Sequence, residues 1–377
     1  MTRNNGRWER GVKGLLIGMM AMMCAACGEP EQGVPEMNEQ ERQTVEAYTE
    51  TLAPVCMGRF QVEMPEQLAL RSSSLTVNSA EISARRMSRT MFNQFIDKRQ
   101  DELSSIDPIH KQDSPYLKNV IERNGGIVII DHNESRHMPD AARMLEGYKF
   151  DGLTMLSVKL KAIDVDDDRY KEQWKFRTSN KADRLKQVEY LLRHLHPRKI
   201  GEMPEGPGLC FENGFLAGSA EERIPGAALK SREETVSMTF VDRDRRDVYI
   251  NLHTDNTVAE NDTLLDRTSA AEKALSDDTN FSVLRRGKVV LKGISQAEEW
   301  LVTETTDQRI KGHYFNLEAN SKVGSPETPY IDISFRNGDF PHGEDRPAID
   351  KASLTDAEAV GLWDAITRTF RPRPGAF

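Results

Sequence analysis

Cys56-Met57-Gly58-Arg59-Phe60-Gln61-Val62 and Cys210-Phe211-Glu212-Asn213-Gly214-Phe215-Leu216 each set a cysteine at the head of an apolar-alternating run, and each reads as a strand. The elements after each run keep the same order. After the first come a strand at Leu75 to Ile82 and an amphipathic helix to Leu103, with Met87, Met91, Phe92, Phe95 and Ile96 at helical spacing. Ile127 to Ile130 is a buried strand. Leu153 to Ile163 is another, with Val158, Leu160 and Ala162 alternating against Lys159 and Lys161. A helix carrying Leu185, Val188, Leu191, Leu192 and Leu195 on one face then stops at Pro197-Arg198.

After the second run, Val236 to Val241 and Val248 to Leu252 alternate on either side of a turn at Asp244. Leu264 to Leu275 is a helix. Strands come next at Val289 to Leu291, Glu299 to Thr303, Tyr314 to Leu317 and Tyr330 to Phe335. The last helix starts at the capping box Thr355-Asp356-Ala357-Glu358, buries Val360, Trp363 and Ile366, and stops at Pro372-Arg373. The expected fold class is therefore α+β: two related domains, each a mostly antiparallel sheet with packed helices, arranged as a clamp. They span residues 53–203 and 204–377 and join through the Gly-, Pro- and Glu-rich stretch Gly201 to Pro207.

Upstream, Arg3, Arg7, Arg10 and Lys13 precede the apolar stretch Gly14 to Met23 and the small-residue site Cys24-Ala25-Ala26-Cys27. An apolar segment this short does not span a bilayer, which takes about 20 residues. Residues 1–26 read as a lipoprotein signal peptide cut before Cys27, whose thiol carries the lipid. Cys24 stands where an aliphatic residue is usual, so an ordinary secretory signal is the rival reading. Gly28, where an Asp would hold the protein at the inner membrane, directs the expectation to the periplasmic side of the outer membrane. Residues 27–52 then form an acidic tether, with a short helix in its later part.

The whole chain carries a net charge of −9, and loss of Glu9 and the four basic residues above with the signal takes it to −12. An acidic body argues against nucleic acid and against electrostatic binding to anionic lipid. Cys56 and Cys210 lie outside the signal, in a compartment that permits disulfides. A bridge between them and two reduced, buried thiols both remain open.

No catalytic motif emerges. There is no nucleophile elbow, Gly-rich phosphate loop or zinc helix, and no cofactor is expected. Asp131-His132-Asn133-Glu134-Ser135-Arg136-His137 is the best metal candidate, but it lacks orienting partners and reads as a solvated loop. Asp164, Asp166 and Asp168 resemble the start of a calcium loop. That reading fails, because no Gly stands at the sixth position and Lys175 stands where the bidentate Glu belongs.

Cys56 to Phe60 with Met64-Pro65, Gly208 to Leu216, and Phe370-Arg371-Pro372-Arg373-Pro374-Gly375-Ala376 together resemble the immunity lipoproteins that protect bacteria from type VI secretion lipase effectors. The resemblance implies a non-enzymatic periplasmic inhibitor whose two domains grip the toxin like a claw and block substrate access or lid opening. It transfers no contact residues. The charged loops supply the candidates for partner binding: Asp131, His132, Glu134 and Arg136; Asp166 and Asp168; Trp174; and Glu222 and Arg223. A carrier lipoprotein holding lipid or peptide in a cleft is the second reading. A hydrolase is the third, and it would need Asp131, His132 and His137 around a metal, or a Ser–His pair within hydrogen-bond reach.

Overall fold

The computed structural model describes residues 33–170, 175–229, 231–341 and 347–377. The two cysteine-bearing runs are not single strands. Gly58 adopts φ +54°, a conformation that glycine takes without steric penalty, and it turns the first run into a hairpin of β1 (Leu52–Met57) and β2 (Phe60–Pro65). Asn213, at φ +58°, does the same between β10 (Gly208–Phe211) and β11 (Gly214–Ala217). Likewise Leu75 to Ile82 is two strands, β3 (Leu68–Val77) and β4 (Ala80–Arg86). Asn78 and Ser79, both at positive φ, make the two-residue turn between them.

The rest of the first half supplies β5 (Leu117–Arg123), β6 (Ile127–Asn133), β7 (Ala142–Asp151), β8 (Thr154–Ile163) and the short β9 (Leu195–Pro197). The second half supplies β12 (Glu234–Asp242), β13 (Val248–Asp255), β14 (Ser282–Leu291), β15 (Ile294–Thr305), β16 (Lys311–Ala319), β17 (Tyr330–Asn337) and β18 (Arg371–Pro372). Twelve of these form one antiparallel sheet in the order β14-β15-β16-β17-β13-β12-β3-β4-β8-β7-β6-β5. Each half contributes six strands in the same internal order, so the halves are related by topology. They meet where β3 pairs with β12, Leu75 opposite Val236 and Ser74 opposite Ser237. The sheet runs through that junction without a break, and residues 32–377 form one compact unit.

The helices are five among the described residues: α1 (Glu39–Thr49), α2 (Arg89–Ser104), α3 (Lys181–His194), α4 (Leu264–Ala274) and α5 (Asp356–Thr367). Capping boxes start α1 at Asn38, α4 at Thr263 and α5 at Thr355, and Ser88 caps α2. None is long and apolar enough to cross a membrane. The later part of the segment read as a tether is α1, and it lies against α5, where Val45 closes over Gly361.

One face of the sheet is the main core. It buries Leu156, Val158 and Leu160 under Val188, Leu191 and Leu192 of α3, and Phe315, Phe335 and Ile333 under Trp363 and Ile366 of α5. Gly147 lets α3 approach β7, since a Cβ there would lie 2.5 Å from Val188 Cγ1 and 2.7 Å from Leu192 Cδ1. Trp363 is fully buried, its indole donating to Glu299 Oε2 at 3.1 Å.

The short strands interlock the halves. β18, the last of the chain, pairs with β2 of the first half, and β9, the last of the first half, pairs with β11 of the second. Cys56 and Cys210 form a disulfide across this join, and Gly58 and Cys210 exchange backbone hydrogen bonds of 2.8 and 2.9 Å. Closing a loop of 154 residues removes freedom mainly from the unfolded chain. Reduction, or Cys56→Ser with Cys210→Ser, is therefore expected to lower unfolding free energy by about 2–5 kcal/mol in a denaturant titration.

A second expectation concerns Asp332 on the opposite face. Its Oδ1 is buried without a hydrogen-bond partner, and burial, followed by the neighbouring Glu318 carboxylate, raises its pKa to about 6. Arg267 only partly opposes this, being engaged by both oxygens of Glu318. A raised carboxyl pKa contributes stability that is whole below the unfolded value near 4 and is lost as pH rises through 6. Asp332→Asn should therefore stabilise the fold by on the order of 2–3 kcal/mol at pH 7.5 and change it little at pH 3.5, measured by denaturant unfolding at both pH values.

Candidate partner interface

The second face of the sheet is covered only toward its ends. Over β6, β7 and β8, α2 buries Phe92, Ile96 and Leu103 against Ile130, Tyr148 and Met155. At the other end α4 covers Trp300 and Val302 of β15. Between them the strands β4, β3, β12, β13 and β17 have a buried residue on the core side at nearly every second position and a polar one on the open side. The open rows include Ser83 and Arg85, Ser72 and Ser74, Thr235, Ser237 and Thr239, Asn251, His253 and Asp255, and Ser334 and Arg336. The strand period of two puts them there: the residues between them serve the core. Cross-strand hydrogen bonds tie the rows together, among them Thr235 to Asp255 at 2.9 Å, Ser237 to His253 Nδ1 at 2.7 Å and Asn251 to Ser334 at 3.3 Å. The result is a hydroxyl- and amide-rich floor between two helical walls.

At the first-half end of this floor lies a groove of about 440 Å³. Met138, Met144 and Leu160 are among its apolar residues, and Lys159, Lys161, Arg177 and Arg184 are its cations. Glu81 and Glu134 are its carboxylates; Glu81 stands opposite Lys159 in the strand register, and Glu134 pairs with Lys161 at 2.7 Å.

The charged loops named from the sequence are placed differently from one another. Asp131 and His132 are not in a loop at all: β6 runs on to Asn133, and the two side chains are 3% and 4% exposed. Asp131 accepts from Arg143 Nε and Nη2 at 2.9 and 2.7 Å. His132 stacks on Tyr116 with its Nδ1 2.7 Å from the Asn133 carbonyl. Both are structural, and a partner has no access to them. A buried strand-end carboxylate needs a cation, which Arg143 supplies, so the heptad offers no convergent ligand set. Among the described residues no cluster of three or more His, Cys, Asp or Glu is arranged around a metal.

Glu134 is half-buried and is the one named residue that lines the groove. Arg136 is exposed and donates to the Asp107 carbonyl at 3.0 Å. Asp166 accepts from Ser179 Oγ at 2.5 Å, and Asp168 is exposed. Glu222 accepts from the Tyr190 hydroxyl, and Arg223 is exposed. Trp174 and Cys27 lie outside the described residues. Sequence reasoning passed over the open rows because Ser, Thr and Asn in a strand look like ordinary surface. The alternation of Lys159 and Lys161 against Val158, Leu160 and Ala162 was the signal that marked two of the groove's cations.

Ser237 and His253 are the Ser–His pair that a hydrolase would require, but the rest of such a site is missing. Burial lowers the His253 pKa, and among the described residues no carboxylate is hydrogen-bonded to its ring. Ser237 sits in mid-strand, with β13 on one side and β3 on the other, where the backbone amides serve the ladder and not an oxyanion.

Comparison with known proteins bears on the whole arrangement. The apo structure of immunity protein TplEi of T6SS from Pseudomonas aeruginosa is 21% identical, with a TM-score of 0.65, over 86% of this chain and 98% of its own. The crystal structure of the Tle4-Tli4 complex gives 21% identity and a TM-score of 0.66 over 87% and 99%. TplEi complexed with "L" peptide gives 19% and 0.61 over 86% and 98%. At these identities the likeness is one of fold. No curated protein matches the chain. Two family models do: the Tle cognate immunity protein 4 N-terminal domain over residues 53–198, and its C-terminal domain over residues 202–375. Matched through both halves, the chain belongs to the Tle cognate immunity protein 4 family.

Proposed function

We propose that this chain is a periplasmic immunity protein that binds a cognate type VI secretion lipase effector and keeps it from phospholipid, without catalysing a reaction of its own. The observation that carries the reading is the match of both family domains, in order, across one chain. The open floor between α2 and α4 supports it: a broad polar surface with an adjacent groove suits a protein partner better than the enclosed apolar cavity a lipid carrier would need. The disulfide supports export, since such bonds persist in oxidising compartments. The incomplete surroundings of Ser237 and His253 support an inhibitor over a hydrolase.

The chain starting at Gly28 is expected to abolish phospholipid hydrolysis by its cognate lipase effector at one-to-one stoichiometry. Its affinity should be nanomolar or better, worth roughly 12 kcal/mol. Undiminished hydrolysis at molar excess would sink the reading. The chain alone should leave the same phospholipid intact.

For localisation we propose lipid on Cys27 and an outer-membrane address. Cys27→Ser in the full chain should leave the precursor unlipidated and abolish metabolic labelling with a fatty acid. An unchanged labelled product would reject the assignment.

A further inference from the structure

We infer that the groove beside β4 and β8 is the seat of an apolar side chain flanked by carboxylates on the effector. This rests on the function proposed above and gives that function a location. The charges point this way. The whole chain is acidic, with a net charge of −9, yet the groove gathers four cations, Lys159, Lys161, Arg177 and Arg184, around two carboxylates, Glu81 and Glu134. Arg184 commits one guanidinium arm to Gln187 at 2.7 Å, and Lys159 stands 3.5 Å from Glu146. Counted over the lining, four cations against two carboxylates leave two positive charges in excess, and a complementary partner gains association rate and orientation from them.

The apolar residues supply the other half of the match. Met138 is 40% exposed and Met144 partly so, and both line the groove. Methionine adapts its shape to an incoming side chain at little cost. Phe176, next to Arg177 in sequence, is 92% exposed, with the Lys175 ammonium 5.5 Å from its ring centre. A buried apolar anchor ringed by polar pairs is the usual anatomy of a binding hot spot. Glu81, Met144, Lys159 and Lys161 alternate with the core residues and so share a face of the sheet with the hydroxyl-rich floor, within reach of one partner.

The test uses Lys161→Glu with Arg177→Glu, and Arg177→Gln alone as a milder change, against the intact effector. Lys288→Glu with Lys292→Glu serves as a control: it makes the same change in net charge at the edge strand β14 and the turn that follows it, where both lysines are exposed. Thermal unfolding checks that each variant folds. The groove pair should slow association about tenfold or more and flatten its dependence on ionic strength, Arg177→Gln should do so partly, and the control should do neither. Groove variants that associate like wild type, or a control that slows equally, would overturn the groove assignment while the inhibitor reading stands. A wild-type chain that does not bind the effector removes both. The same variants are mixed with phosphatidylglycerol vesicles. Vesicle binding that the groove pair abolishes, with effector binding unchanged, would assign the groove to lipid and overturn the protein partner.

Discussion

Gly58 and Cys210 meet backbone to backbone where the hairpins of the two halves join, and the join of the halves is arranged around that contact. Their paired hydrogen bonds and the Cys56–Cys210 disulfide set one hairpin against the other. Arg59, next in sequence, is 2% exposed and reaches Glu234 at the start of β12 with two bonds of 2.8 and 2.7 Å. A buried guanidinium is tolerated only when its donors are used, and Arg59 also donates to the carbonyls of Gly218 and Ala376. A single side chain thus joins the first hairpin, the second half and the C-terminus. The adjacent junction of β3 with β12 then has little freedom to slip, because a one-residue shift would turn Val236 and Met238 out of the core.

The interlocking of β9 and β18 explains why the two halves behave as one body despite their related topologies. Each half lends its closing strand to the other's hairpin, so neither small sheet is complete without both halves. Related domains joined only by a linker move independently unless a large apolar interface holds them. Here the core itself is shared, running from Leu191 of α3 to Trp363 of α5.

That rigidity has a consequence for the face turned to solvent. The paired helices α2 and α4 occupy equivalent places, each between the second and third, in chain order, of its half's six strands in the large sheet, and each covers strands away from the junction. The strands nearest the junction are left uncovered, and their outward residues are polar. The floor is therefore preorganised, with side chains held by cross-strand bonds, and a partner that lands on it loses little entropy in ordering it. Asp332, whose neighbours disfavour its charge, marks a place on this face where stability has not been maximised.

Elements whose signals are local can be read from the residues alone. Apolar spacing located α2 and α3, a capping box located α5, and alternation located β8, β12 and β13, because these depend on residues a few positions apart. The order of elements disclosed the two related halves. It did not disclose that Cys56 to Val62 is two strands, since a glycine turn interrupts the alternation without changing its polarity. β7 escaped because Gly147 interrupts its pattern, and that glycine is there for α3, a partner distant in sequence. Asp131 and His132 read as a loop because charge predicts exposure until a partner such as Arg143, on another strand, cancels it. The cysteine pairing, the β3–β12 junction and the groove's excess of cations rest on contacts between residues far apart in the chain. Only the folded chain decides those, because which sheet edges and which charges end up adjacent is a property of the packing and not of any stretch of sequence.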